Sequence, residues 1–99
     1  MFVIGVTSCS FGVAHTYMAA EAIEKACKAR GYDVKVETQG LLGIENELTQ
    51  DEIDRADYII FANDVELTFA YRFENASDKI HRFSPHQVIK DPNCIFENL

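Results

Sequence analysis

Two stretches of this chain are apolar almost without a break: Phe2-Val3-Ile4-Gly5-Val6-Thr7 near the start and Tyr58-Ile59-Ile60-Phe61-Ala62 past the middle. A strand with one wet face alternates apolar and polar residues. Continuous runs rich in β-branched residues suit strands covered on both faces, as in a parallel sheet. Parallel strands need crossover connections, and the chain between the runs supplies one. From His15 to Arg30, Ala19, Ala22, Ile23, Ala26 and Cys27 recur at helical spacing and make one apolar face. Glu21 with Lys25 and Glu24 with Lys28 are i,i+4 pairs in the favourable order, and Gly31 is a natural stop.

The remaining elements follow the same rhythm. Asp33–Thr38 reads as a second strand with Val34 and Val36 on one face. Gln39–Ile44, with two glycines, reads as a loop. Thr49-Gln50-Asp51-Glu52 carries a capping-box pattern and predicts a short helix. Asp57–Ala62 is the third strand, Leu67–Phe73 a short helix, and Lys79–Phe83 a fourth strand. Pro85 suits the first turn of a last helix, which Pro92 then limits. The predicted fold is α/β: three layers, α/β/α, around a four-stranded parallel sheet, with a phosphate-binding loop after the first strand. Residues 1–99 leave room for a single domain.

Charge narrows the partners. Sixteen acidic against nine basic residues give a net charge of -7, which repels nucleic acid and anionic membrane surfaces on average. No apolar run approaches the ~18 residues of a membrane span, and no signal peptide is visible, which predicts a cytoplasmic protein without membrane insertion. Cys9, Cys27 and Cys94 are widely spaced, without CxxC, and His15, His81 and His86 show no zinc-ligand spacing to them. No metal and no organic cofactor are expected, and a reducing compartment is implied.

The chemistry concentrates at Ser8-Cys9-Ser10-Phe11-Gly12-Val13-Ala14-His15-Thr16, the turn from the first strand into the first helix. In open α/β sheets, ligands sit at the carboxyl ends of strands. A helix N-terminus there offers backbone N–H groups and a positive dipole end to an anion. Gly12 lets the backbone approach closely. The same field favours a thiolate over a thiol, and a thiolate is a good nucleophile toward phosphorus. The loop therefore suggests phosphoryl transfer through a phosphocysteine at Cys9. The plain alternative is a small residue packed in a turn.

The segment Cys9-Ser10-Phe11-Gly12-Val13-Ala14-His15-Thr16, followed by Met18-Ala19-Ala20-Glu21, resembles the active-site segment of the IIB domain of bacterial fructose-type sugar phosphotransferase systems. The family pattern there is Cys-Pro-Thr-Gly-Ile-Ala-His-Thr, then Met-Ala-Ala-Glu. Further matches are Lys35-Val36-Glu37-Thr38-Gln39-Gly40 with Gly43, Asn46 and Leu48-Thr49, and more loosely Ala56-Asp57, Asp64 and Arg72-Phe73. The resemblance implies that Cys9 accepts a phosphoryl group from a phosphohistidine of a IIA domain. It would pass the group to fructose or a fructose-like sugar carried by the membrane domain IIC. It further implies a phosphate cradle at Ser10, Phe11, Gly12, Val13, Ala14, His15 and Thr16. Ser10 and Phe11 depart from the family's Pro and Thr, which bears on partner or sugar choice more than on the chemistry. Phe11, Leu41 and Leu42 are the expected partner footprint.

His15 reads equally as a phosphate ligand or as a residue that satisfies the start of the helix. Glu37, Gln39 and Asp64 fall near the same rim, but a carboxylate beside a phosphocysteine repels it, so none of the three is assigned a catalytic role. Cys27 and Cys94 read as core, and His81 and His86 as surface residues. Two other functions use a similar loop. A low-molecular-weight tyrosine-phosphatase-like hydrolase has an Arg six residues after its Cys and a late Asp-Pro. Asp91-Pro92 is present, but His15 stands where that Arg would be. A guanidinium is the natural bidentate clamp for a phosphoryl transition state. A regulatory module phosphorylated on cysteine would carry an identical loop.

Overall fold

The computed structural model describes residues 1–10 and 12–99, with Val13 described by its backbone alone. Strand β1 (Phe2–Ser8) runs into helix α1 (Val13–Ala29), then β2 (Asp33–Gly40), β3 (Gly43–Glu45), α2 (Gln50–Arg55) and β4 (Tyr58–Asn63). A 3₁₀ segment (Ala70–Lys79), β5 (Ile80–Phe83), α3 (Pro85–Lys90) and a last 3₁₀ turn (Pro92–Phe96) complete the chain. The sheet order is β3-β2-β1-β4-β5. β1 pairs in parallel with both β2 and β4, and β5 in parallel with β4.

Alternate residues of the strands serve two cores. Val3, Val36, Tyr58 and Ile60 face α1, α3 and the last turn, meeting Ile23, Val88 and Ile95. Ile4, Val6, Ile59 and Phe61 face the other way, onto Leu48, Ile53, Phe73 and Ala76. Both faces of β1 and β4 are covered, which is why their sequences lack a polar alternation. α1 ends as its sequence predicts. Gly31 adopts φ 76°, and the amides of Gly31 and Tyr32 return to the carbonyls of Lys28 and Cys27. The Thr49 capping box is also present: Thr49 Oγ1 accepts from the Glu52 amide and Glu52 Oε1 from the Thr49 amide.

The sheet corrects the four-stranded expectation. It has five strands and is mixed, because Gly43–Glu45 turns back antiparallel onto β2 within the stretch read as a loop. Gly40 pairs with Gly43, so Leu41 and Leu42 form the two-residue tip of a hairpin. A three-residue strand is too short to show a period, and its glycine with φ 97° looks like loop chemistry. The helix expected at Leu67–Phe73 is also displaced. Phe69 sits in the left-handed region at φ 59°, and the 3₁₀ segment starts only after it and runs on to Lys79.

Candidate functional site

β1 and β4 end side by side at the point where the strand order switches direction. Cys9 follows the first and Asp64 the second. Cys9 is half-buried at the mouth of a cleft of ≈ 420 Å³, whose walls include Ser10, Gly12, Gln39, Leu41 and Val65. The described lining contains no arginine or lysine.

The loop is held by short polar contacts. Thr16, fully buried in the first turn of α1, accepts the Cys9 amide on Oγ1 at 3.1 Å, and its carbonyl accepts the Thr7 hydroxyl at 3.0 Å. Gly12 closes a turn onto the Cys9 carbonyl and caps α1 at φ 118°, ψ -176°, a conformation essentially reserved for glycine. Val13, Ala14 and His15 form the first turn of α1. His15 Nδ1 lies 3.8 Å from Cys9 Sγ. Phe11, one of the expected cradle and footprint residues, lies outside the described residues.

Asp64 approaches from the other strand. Its Oδ1 accepts the Ser10 amide at 2.7 Å, its Oδ2 accepts the Ser10 hydroxyl at 3.1 Å, and Cys9 Sγ is 3.6 Å away. The Ser10 amide, with help from its hydroxyl, holds the Asp64 carboxyl below the usual range.

Glu37 is tied chiefly to a side chain, Arg72. It is completely buried at the end of β2 and takes a bidentate pair from Arg72, both bonds 2.9 Å, plus the Leu48 amide at 2.8 Å and Gln39 at 2.7 Å. Burial alone would raise its carboxyl pKa, but the hydrogen bonds from Arg72, Gln39 and Leu48 together outweigh it and hold the group below its ordinary value. Gln39 also exchanges both amide bonds with Thr68, at 2.8 and 2.9 Å. These contacts fasten the segment after β4, which brings Asp64, to the end of β2.

The other two thiols are out of play. Cys27 is buried under α1, and burial pushes its thiol up to about 11. Cys94 is buried and likewise raised, first by burial and then by Asp91 and Glu97. Alkylation of the native protein with iodoacetamide at neutral pH should therefore add one group, on Cys9. A second adduct before unfolding would contradict this arrangement.

A family model described as the lactose/cellobiose-specific IIB subunit of the PTS, the sugar phosphotransferase system, matches residues 4–98. The chain belongs to the PTS IIB family. PTS IIB components are phosphotransferases as a class. The chain is 46% identical over 97 residues to the PTS system fructose-like EIIB component 2 of Escherichia coli K12, covering 98% of this chain and 90% of that one. It is 40% identical over 97 residues to the fructose-like PTS system EIIBC component of the same organism, and there the match spans 98% of this chain and 20% of the longer protein. A domain of the fructose-specific IIABC component of Borrelia burgdorferi superposes with a TM-score of 0.85 at 39% identity, over 97% of this chain and 89% of that domain. The resemblance read from Cys9–Thr16 and Lys35–Gly40 is thus confirmed at the level of the family.

One histidine beside the loop has a neighbour that its sequence position did not suggest. His86, the second residue of α3, is not an isolated surface histidine. Its ring meets that of His15 edge-on, centroids 4.9 Å apart at 82°. It comes from the far end of the chain, so no spacing could reveal it; the docking of α3 beside α1 brings it in.

Proposed function

We propose that this protein is a phosphoryl carrier in which Cys9 is the phosphorylated residue. Its donor is a phosphohistidine of a IIA domain, and its acceptor is fructose or a fructose-like sugar held by the membrane domain IIC. The observation that carries the reading is Cys9, half-buried in the cleft lining ahead of the α1 N-terminus, while the two other cysteines are fully buried. The fused EIIBC and IIABC relatives join such a domain to further components in one chain. Among the described residues, no helix is long and apolar enough to cross a membrane. We place the carrier at the cytoplasmic face of IIC.

In the first step the Cys9 sulfur attacks phosphorus as the histidine N–P bond breaks. The thiol proton ends on the departing imidazole nitrogen. In the second, a sugar hydroxyl attacks phosphorus, the S–P bond breaks, and the hydroxyl proton returns the thiol. The protein's contribution is position and field. Backbone N–H groups at the N-terminus of α1 and the α1 dipole stabilise the phosphoryl oxygens. Among the described residues the cleft lining has no arginine to stabilise attack by water, which suits a carrier better than a phosphatase.

The test is intact mass after incubation with phosphoenolpyruvate, the general phosphotransferase proteins and a fructose-type IIA domain. One phosphoryl group should appear on the wild type and none on Cys9→Ser. An equal gain in the variant would defeat the proposal.

The hairpin tip is the proposed IIA contact. Leu41 and Leu42 are 88% and 74% exposed, where a two-residue turn ordinarily carries Gly or Asn. The Tyr17 hydroxyl, donating to Glu45, ties the hairpin to α1. Leu41→Ser with Leu42→Ser should slow phosphorylation by IIA about tenfold, on the scale of a modest interface anchor. The thermal midpoint should not move. An unchanged rate would remove the tip from the footprint.

A further inference from the structure

The fold gathers three metal-ligating side chains that the sequence spacing kept apart. Cys9 follows β1, His15 lies in the first turn of α1, and His86 lies at the start of α3. One ligand atom from each falls within 4.8 Å of the other two. We propose that Cys9, His15 and His86 bind a thiophilic divalent cation of the zinc type, departing from the sequence expectation of no metal.

Donor chemistry and geometry both point to that class of ion. One thiolate with two imidazoles is a nitrogen–sulfur set, which selects zinc-like ions over the oxygen-seeking magnesium and calcium. With Zn–S near 2.3 Å and Zn–N near 2.0–2.1 Å, the edge of a tetrahedral site between S and N is about 3.6 Å. The Cys9 Sγ to His15 Nδ1 distance of 3.8 Å is already close to that edge. The longest of the three separations, no more than 4.8 Å, must shrink by about 1–1.5 Å to reach an S–N or N–N edge. That is within the swing of the exposed His86 side chain, whose ring stands edge-on to His15.

The scaffold beneath the three is firm. The Cys9 amide is held by Thr16, and both histidines project from helices. Three protein ligands leave the fourth position of a tetrahedral ion to water. The Asp64 carboxylate, 3.6 Å from Sγ, adds negative charge beside the cation. On binding, Cys9 coordinates as thiolate and releases its proton to solvent.

Binding rests on the three ligands alone. A consequence for transfer rests on the proposed function: a sulfur whose lone pair and charge are committed to zinc attacks phosphorus far more slowly, so the ion and the phosphoryl group compete for Cys9.

The test uses the whole chain, reduced with a non-thiol reductant, and Co²⁺ as the probe. Titration should give the visible bands of tetrahedral cobalt and an ultraviolet thiolate-to-cobalt band at one ion per chain, both displaced by Zn²⁺. Cys9→Ser should lose the ultraviolet band. His86→Gln should weaken Co²⁺ binding at least about tenfold. It should still accept a phosphoryl group, with less inhibition by Zn²⁺ than the wild type. Absence of the tetrahedral spectrum in the wild type, or equal affinity in His86→Gln, overturns the site. If the spectrum behaves as stated, the site stands; Zn²⁺ leaving wild-type transfer untouched would then count against Cys9 as the phosphorylated residue.

Discussion

Glu37→Ala should destabilise the protein by about 3–5 kcal/mol, the scale for removing one partner of a buried ion pair. The variant strands the Arg72 guanidinium, whose side chain is 9% exposed, and leaves the Leu48 amide and Gln39 without their shared acceptor. A domain of this size has about 5–15 kcal/mol in all, so the thermal midpoint should fall by more than about 10 °C. The double variant Glu37→Leu with Arg72→Met should lose less than either single change, because the pair's net contribution is far smaller than the penalty for breaking it. If the double variant fell as far as the sum of the singles, the account of a stranded charge would fail.

The same group sets a pH dependence. The folded Glu37 carboxyl lies below its ordinary value of 4.5, so the unfolded chain binds its proton first as pH falls. Its stabilisation is present above pH 4.5, declines below it, and is gone once pH has passed the folded value. Urea unfolding of the wild type should therefore weaken below pH 4.5 more steeply than that of Glu37→Gln.

Gly12→Val should reduce phosphoryl acceptance about a hundredfold, the loss expected from moving a reacting atom by about 1 Å. The effect is torsional. Apart from its two chain neighbours, no described residue stands within 4 Å of a Cβ built on Gly12, but a side chain cannot hold φ 118° there without strain of about 1–3 kcal/mol. A β-branched residue strains it most, so the turn that returns to the Cys9 carbonyl must rebuild and carry the thiol with it. Rapid-quench mass measurements read the rate, and circular dichroism checks that α1 persists. Gly12→Ala should fall between glycine and valine. A variant with wild-type rate and midpoint would show that the turn does not position the thiol.

The elements that hold the site were legible because each has a local cause. Continuous apolar runs marked β1 and β4, the period of Ala19 to Cys27 marked α1, and the Thr49 to Glu52 spacing marked the start of α2. Cys9 could be singled out because a strand, a glycine turn and a helix start fall in immediate succession. What stayed hidden has no local cause. β3 is fixed by pairing with β2, not by any pattern in Gly43-Ile44-Glu45. His86 reaches His15 only through the docking of α3. Phe69 in the left-handed region moved the following helix, and nothing in its side chain announces that conformation.

Asp64 has a consequence for energy flow under the proposed function. At rest it occupies the Ser10 amide and stands 3.6 Å from the sulfur that would carry the doubly charged phosphoryl group. That proximity raises the free energy of the charged-up state relative to the empty one, most strongly at low ionic strength. In a hydrolase this would be a fault. In a relay it keeps group-transfer potential high, so that what arrives from one protein leaves readily for the next.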